Sequence, residues 1–386
     1  MLQYIESRYE QFIQDLETVV NLDSGSGYVP GLEAVLSFFQ DRFEKLGWRV
    51  ARHAFEGGTV PCLEISNRDR MDHGTPFDFL FLGHADTVLP PGTAKERPFS
   101  IHNGRGMGPG VCDMKAGLVT MLHVAETVQH AGMSEKVSLC IAINSDEEAG
   151  SRGSRKWFEA LATTSRRVLV FEPCRATGHR VIRRKGVGGF EVHCHGKAAH
   201  AGAEPDKGAN AVLEVAHQVL AMAGFANPQL GTSVNVTTIS GGTVENVIPD
   251  FAKAGADVRF STVEEARRIE GCFRQVNGKG FIEGVRVEVH GEINRLPMVP
   301  SEGTLRLWDS LSAIGNRIGL EMKLIHTGGC SDGNFTAALG IPTIDAMGPR
   351  GGGAHSKEEF LELDSISPNI HLVCEILKAA SEGSLP

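Results

Sequence analysis

An apolar run, Phe79-Leu-Phe-Leu82, stops at Gly83, and His84 and Asp86 follow two residues apart. Such a run reads as a buried strand that delivers two polar side chains at its carboxyl end. That end is the edge where open α/β sheets bind ligands. A histidine with a carboxylate close behind it suits a metal ligand and its orienting partner. A lone His-x-Asp pair fits a satisfied core histidine equally well, so the remaining segments decide whether further ligands exist.

The rest of the chain repeats the pattern. Ile5, Tyr9, Phe12, Leu16 and Val19 recur at helical spacing over residues 3–22, and Leu32, Val35, Phe39, Phe43 and Leu46 mark a second helix closing at Gly47. Residues 48–55 and 59–65 have strand composition. Gly108-Pro-Gly-Val-Cys-Asp-Met-Lys-Ala-Gly117 leads into an apolar helix through Val128. Val137 to Asn144 is another apolar strand and ends in Ser145-Asp-Glu-Glu-Ala-Gly150. After a helix over 155–161, Arg167 to Phe171 ends in Glu172-Pro173. Strands alternating with helices indicate an α/β sheet with much parallel pairing.

Near residue 187 the order changes to strand 188–195, helix 208–223, strands 232–240 and 252–260, helix 263–276, and an alternating strand at Val285, Val287 and Val289. That βαββαβ order is ferredoxin-like. It predicts an inserted domain over 187–296 between two parts of the first domain, 1–186 and 297–386. The α/β pattern then resumes and closes with a helix over 367–380.

With 386 residues, two domains are the default. A net charge of −9 offers no basic excess for nucleic acid or an anionic membrane surface. No apolar stretch approaches the ~20 residues of a membrane helix, and Met1-Leu-Gln-Tyr-Ile-Glu-Ser lacks the features of a signal peptide. The 8 cysteines are scattered without a Cys-x-x-Cys pair, which fits reduced thiols in a cytoplasm better than a disulfide framework.

His84, Asp113, Glu147-Glu148, Glu172 and His355 share one description: each follows an apolar strand or a tight Gly-rich turn. Imidazole and carboxylate without thiolate suit a hydrolytic metal site better than a structural one. Each residue also has a plain alternative. Asp113 could cap the helix after it, the paired glutamates could form a solvated turn, and His355 could decorate a glycine loop.

Six motifs fit a known family in order: Gly83-His-Ala-Asp-Thr87, Gly108-Pro-Gly-Val-Cys-Asp-Met-Lys115, Asp146-Glu-Glu-Ala-Gly-Ser151, Phe171-Glu-Pro173, Gly196-Lys-Ala-Ala-His-Ala-Gly202 and Gly353-Ala-His-Ser356. Over nearly its whole length the chain resembles the dinuclear-zinc aminoacylases and carboxypeptidases, a family that includes acetylornithine deacetylase and succinyl-diaminopimelate desuccinylase. The likeness is strongest to the glutamate carboxypeptidases, through Asp-Glu-Glu-x-Gly-Ser-x-Gly-Ser and Phe-Glu-Pro. Two departures stand out: Met114 where aspartate is frequent, and no export signal like that of the folate-cleaving members.

The resemblance implies a zinc-peptidase-like α/β fold, with a mixed, largely parallel sheet flanked by helices and the inserted α+β domain serving as dimerisation (lid) domain. It implies two Zn2+ per subunit, with Mn2+ or Co2+ as alternatives. Asp113 would bridge them, His84 and Glu172 would complete one site, and Glu148 and His355 the other. Glu147 would be the general base, and Asp86 would fix the His84 tautomer. His200 would reach the partner subunit's site in a homodimer and stabilise the oxyanion. Asn246 would line the substrate cleft and Arg295 would grip a substrate carboxylate; Arg259 is a weaker candidate that could simply pair with Asp257. Cys112 and Cys330 read as small packing residues.

The expected reaction is hydrolysis of an amide bond beside a free carboxylate, releasing an amino acid such as glutamate from an N-acyl or peptidyl substrate. An acetylornithine-type or N-acetyl-amino-acid deacetylase is the alternative enzyme. A metal-bound, non-catalytic binding protein is the alternative class, and Glu147 is the residue that argues against it.

Overall fold

A computed structural model describes residues 1–55, 61–68 and 75–386. The chain divides into two compact units. The first comprises Met1–Arg183, Val299–His326 and Ser331–Pro386; the second comprises Arg184–Met298 and Thr327–Cys330. Residues 327–330 join the second unit, where Lys185 donates its backbone N–H to the Thr327 carbonyl (3.2 Å).

The first unit is built on a six-stranded sheet in the order Arg49–His53, Cys62–Ser66, Leu139–Asn144, Phe79–His84, Val168–Val170, Thr343–Ile344. The first two pairings are antiparallel and the remaining three parallel. The strand expected over 59–65 is realised as Cys62–Ser66, and residues 59 and 60 lie outside the described residues. The last strand of this sheet is only two residues long, Thr343–Ile344.

The central strands are apolar up to their carboxyl ends, His84 and Asn144, because both faces of the sheet are covered. Phe79 and Phe81 belong to the cluster that includes Leu118, Leu122 and Phe39, while Leu80 and Leu82 belong to one with Trp157, Phe158 and Leu161. Truncating fully buried Phe81 to alanine should cost about 3–5 kcal/mol. The single helix expected over 3–22 is two, Leu2–Ser7 and Tyr9–Val20, parted at Arg8.

The second unit carries four antiparallel strands in the order Ser233–Gly241, Phe251–Phe260, Gly186–His195, Arg286–Arg295. Helices Ala211–Ala223 and Val263–Val276 share one core with Phe190, Val192 and Cys194, leaving Glu191, His193 and His195 on the opposite face. Asn210 and Thr262 cap those helices by accepting the backbone N–H of Leu213 and Glu265. This is the βαββαβ order read from the sequence. Among the described residues no helix is long and apolar enough to cross a membrane.

Candidate active site

Three neighbouring parallel strands end in step. His84 is in register with Asn144, and Leu82 with Val170. The ladder runs one residue further on both sides, with Ala85 N–H donating to Asn144 and Phe171 N–H to Leu82. His84, the Asp146–Glu148 segment and Glu172 therefore leave the sheet at one edge. The helix Ala116–His130 approaches the same edge so closely that a Cβ at Gly117 would strike the Phe171 carbonyl. Asp113 lies in the turn that starts this helix, and the Asp113–Met114 peptide is cis. It does not cap the helix, whose N-terminus at Lys115 has no side-chain cap bond.

His84 is buried, and its Nδ1 lies 2.9 Å from the Asp86 backbone carbonyl and 3.4 Å from Asp86 Oδ1. A carbonyl only accepts, so Nδ1 carries a proton, and the neutral imidazole would turn its Nε2 lone pair to a ligand. The Asp86 carboxylate has a second task. Oδ1 accepts from Glu147 N–H (3.1 Å), and Oδ2 accepts from Glu148 N–H (3.1 Å) and the Ser26 hydroxyl (2.7 Å). The paired glutamates sit in a turn in which Gly150, at φ +92°, donates back to the Glu147 carbonyl. Such a turn frees adjacent glutamates from the alternating side-chain directions of a strand. Asn144 braces it further, donating to Asp332 (2.9 Å) and approaching Ser151, Ser154 and Asp146.

Asp113 is held by a residue the sequence reading did not single out. The buried carboxylate of Glu359 accepts the backbone N–H groups of Gly110 (2.9 Å), Cys112 (2.8 Å) and Asp113 (2.9 Å). In sequence Glu359 sits in Lys-Glu-Glu-Phe, which reads as a solvated charged turn. Nothing local marks it, because its partners lie some 250 residues away.

The side chains that face one another form two donor triads sharing Asp113: His84–Asp113–Glu172 and Asp113–Glu148–His355. Within each, the ligand atoms all lie within 4.8 Å of one another. His84 Nε2 is 3.3 Å from Asp113 Oδ1 and 3.6 Å from Glu172 Oε1. His355 Nε2 is 3.3 Å from both Asp113 Oδ2 and Glu148 Oε1. All five sequence-expected ligands thus meet at one place.

The electrostatics of the cluster are strained. Burial, then repulsion by Asp113, pushes Glu172 well above the carboxylate range, and burial likewise raises Glu148. Burial works against Asp113 too, but His355 and His84 outweigh it and hold its carboxyl low. Asp113 raises His355 to about 9. Burial opposes charge on His84, yet Asp113 and Asp86 hold that imidazole well above its ordinary value. Glu148 Oε1 is buried without a hydrogen bond. Crowded carboxylates, two imidazoles with a nitrogen facing them and an unsatisfied buried oxygen suit divalent cations.

The other expected residues belong to the second unit. His200 is exposed, and its Nδ1 accepts the N–H groups of Gly202 (3.1 Å) and Ala203 (3.0 Å), which places the ring proton on Nε2. Asn246 is exposed and its carbonyl accepts from Ala201 N–H (2.9 Å), tying it to the His200 turn. Arg259 pairs with Asp257 (2.9 Å), the local partnership weighed from the sequence. Arg295 is buried at the end of its strand with Nη1 3.6 Å from Cys330 Sγ, and Arg259 Nη1 reaches the same sulfur at 3.7 Å.

Imidazoles and carboxylates gathered at one sheet edge of an α/β unit are the mark of a metal-dependent hydrolase. Residues 80–379 match the family described as Peptidase family M20/M25/M40, and the chain belongs to that family. Carboxypeptidase G2 of Pseudomonas sp. (strain RS-16) is 29% identical over 377 residues, 96% of this chain and 89% of that one. The succinyl-diaminopimelate desuccinylase of Methylococcus capsulatus is 30% identical over 340 residues, 82% and 87% of the two chains. Two solved structures share the fold. A Staphylococcus aureus tripeptidase has a TM-score of 0.77 at 19% identity, covering 97% of this chain and 99% of that one. The M20 metallo-carboxypeptidase Sso-CP2 of Sulfolobus solfataricus has a TM-score of 0.73 at 15% identity, covering 96% and 99%. The protein is a hydrolase of the metallopeptidase class.

Proposed function

We propose that the protein is a two-zinc hydrolase that cuts an amide or peptide bond beside a free carboxylate and releases a C-terminal amino acid such as glutamate. The observation that carries this reading is Glu147, a buried carboxylate whose charge adds to the upward push on the ligand Glu172 and whose backbone is pinned by Asp86. His84, Asp113 and Glu172 would hold one ion, and Asp113, Glu148 and His355 the other. When bound, such ions supply Lewis acidity at the scissile carbonyl and acidify water.

Glu147 would take the proton from the attacking water and pass it to the departing amine. Asp86 fixes both His84 and the two glutamates, so the base and a ligand on either side of it move as one unit. His200 presents an Nε2–H donor, the hydrogen-bond type an oxyanion needs. Its family role requires a homodimer. The second unit offers support for one: an exposed edge strand, Ser233–Gly241, with Ile239 61% exposed, and a helix with Leu220 74% exposed. Arg295 and Arg259 would serve the substrate carboxylate and Asn246 the cleft wall. Eight free cysteines favour a reducing compartment such as the cytoplasm.

A release assay over N-acyl amino acids and dipeptides, with zinc present, tests the substrate. Turnover confined to substrates with a C-terminal glutamate is expected. Cleavage selective for N-acetyl groups, whatever the amino acid, would replace this reading with the deacetylase alternative.

A further inference from the structure

An aspartate at the start of a helix ordinarily accepts that helix's own backbone N–H groups. Asp332 precedes the helix Gly333–Ala338, yet its side chain makes no cap bond there. The buried carboxylate is turned to another segment. Its Oδ2 accepts the Asn144 side-chain amide (2.9 Å), and its Oδ1 accepts the Ser151 hydroxyl. Asn144 is the last residue of its strand, and Ser151 closes the turn that follows by donating its N–H to the Asp146 carbonyl (2.7 Å). The two bonds to Asp332 thus bracket the stretch that carries Glu147 and Glu148.

That stretch has to be held. Gly150 and Ser151 both have positive φ, +92° and +52°. Glycine adopts that conformation freely, whereas a serine there is strained and persists only where its surroundings fix it. Ser151 is buried, its carbonyl accepts from Arg155 N–H (2.9 Å), and its hydroxyl is committed to Asp332. Asp146 ties down the residues beyond, accepting Gly153 N–H (2.9 Å) and the Ser154 hydroxyl. Two carboxylates therefore grip the turn at different points. Asp86 takes the backbone N–H groups of Glu147 and Glu148, and Asp332 takes the side chains on either side of them.

We propose that Asp332 is a positioning residue for Glu147, fixing the turn on which that carboxylate stands through Ser151 and Asn144. The inference rests on the reading of Glu147 as the general base. A base works only within hydrogen-bond reach of its proton, and a misplacement of about 1 Å can cost about 10²-fold in rate. Without the Asp332 carboxylate both brackets open, and the strained Ser151 is free to leave its positive φ. The loss falls on kcat rather than KM, because proton transfer belongs to the transition state and not to the bound substrate.

The test is steady-state kinetics at saturating zinc, on the N-acyl amino acid or dipeptide that the release assay finds best cleaved, beside thermal melting of the metal-free proteins. Asp332→Ala should lower kcat about 10–100-fold with KM within about twofold of wild type. Asp332→Asn is the rescue. Its carbonyl oxygen can accept from Asn144 and its amide can donate to the Ser151 oxygen, so it should regain most of that loss. Ser151→Gly removes the hydroxyl but permits the positive φ, so kcat should fall about 3–10-fold while the melting temperature does not. Wild-type kcat in Asp332→Ala overturns the proposal. So does a loss that Asp332→Asn leaves in place, or a KM that rises as far as kcat falls, since either marks a merely structural carboxylate. Should Asp332→Ala not fold, wild-type kcat in Ser151→Gly overturns it alone. Glu147→Gln in the same assay separates the two readings. If it is inactive while Asp332→Ala is unimpaired, only the positioning role fails; if it is fully active, the general base fails and the positioning role with it.

Discussion

In the first unit the residues of the candidate site stand at strand ends, mostly buried, and their backbones are gripped by other acids: Glu147 and Glu148 by Asp86, Asp113 by Glu359. In the second unit, His200 and Asn246 are exposed on a two-stranded turn, and Arg259 is satisfied by Asp257 on its own strand. The first set is preorganised within one chain. The second set presents donors whose partners would be a substrate or a second subunit. Supporting carboxylates should therefore matter to the first unit well beyond their own size, and the variants below probe that contrast.

The largest effect belongs to Glu147→Gln. It keeps the shape and the Asp86 contact to the backbone while removing the base. kcat should fall about 10²–10⁴-fold with metal content unchanged, read by steady-state kinetics beside elemental analysis. Full activity in a metal-replete variant would remove Glu147 from its role.

Asp86→Ala comes next. It loosens the segment carrying both glutamates and the stretch behind His84, so metal affinity should fall about 10–100-fold. Competition with a chelator measures this, and unaltered affinity would mean that the ligands hold themselves.

Glu359→Gln takes the charge from three backbone amides around Asp113 and should lower unfolding stability by about 1–3 kcal/mol. Denaturant titration of metal-free protein reads that loss without interference from bound ions. A neutral result would show that the turn is fixed by Gly110 and its packing instead.

The smallest effect lies away from the site, at Asp15. Burial works against its charge, but His123 (2.9 Å) and Arg42 outweigh this and hold the carboxyl below its ordinary 3.8. A carboxyl depressed in the folded state stabilises fully above its unfolded value and loses that contribution as pH falls through the folded one. Asp15→Asn should lower the melting temperature at pH 6, with the gap to wild type closing towards pH 3. A gap that stays constant over that range would exclude an ionic origin.

Much of the catalytic edge was legible in the sequence because strand-end residues announce themselves. An apolar run is conspicuous, and the polar residue that stops it is fixed at the sheet's carboxyl edge. His84, the Glu147–Glu148 pair and Glu172 were readable for that reason, and Asp113 and His355 from glycine-rich turns, while the division of roles between the two glutamates came from the family resemblance. Glu359, Ser26 and Asn144 were not, because each acts through contacts that only folding creates. Asp86 was legible as a partner of His84, but its hold on the Glu147–Glu148 backbone reaches a turn beyond the neighbouring strand, 61 and 62 residues on. Asp332 carried no signal at all: in Gly-Gly-Cys-Ser-Asp-Gly it looks like one more turn residue before a helix, and only folding brings its carboxylate to Asn144 and Ser151.

The central claim is that five side chains from strand ends and turns make one two-ion centre around Asp113. Anomalous diffraction at the zinc edge from crystals of the zinc-loaded protein tests it directly. Two peaks are expected, one among His84, Asp113 and Glu172 and one among Asp113, Glu148 and His355. A single peak, or a pair that leaves Asp113 uncoordinated, would contradict it.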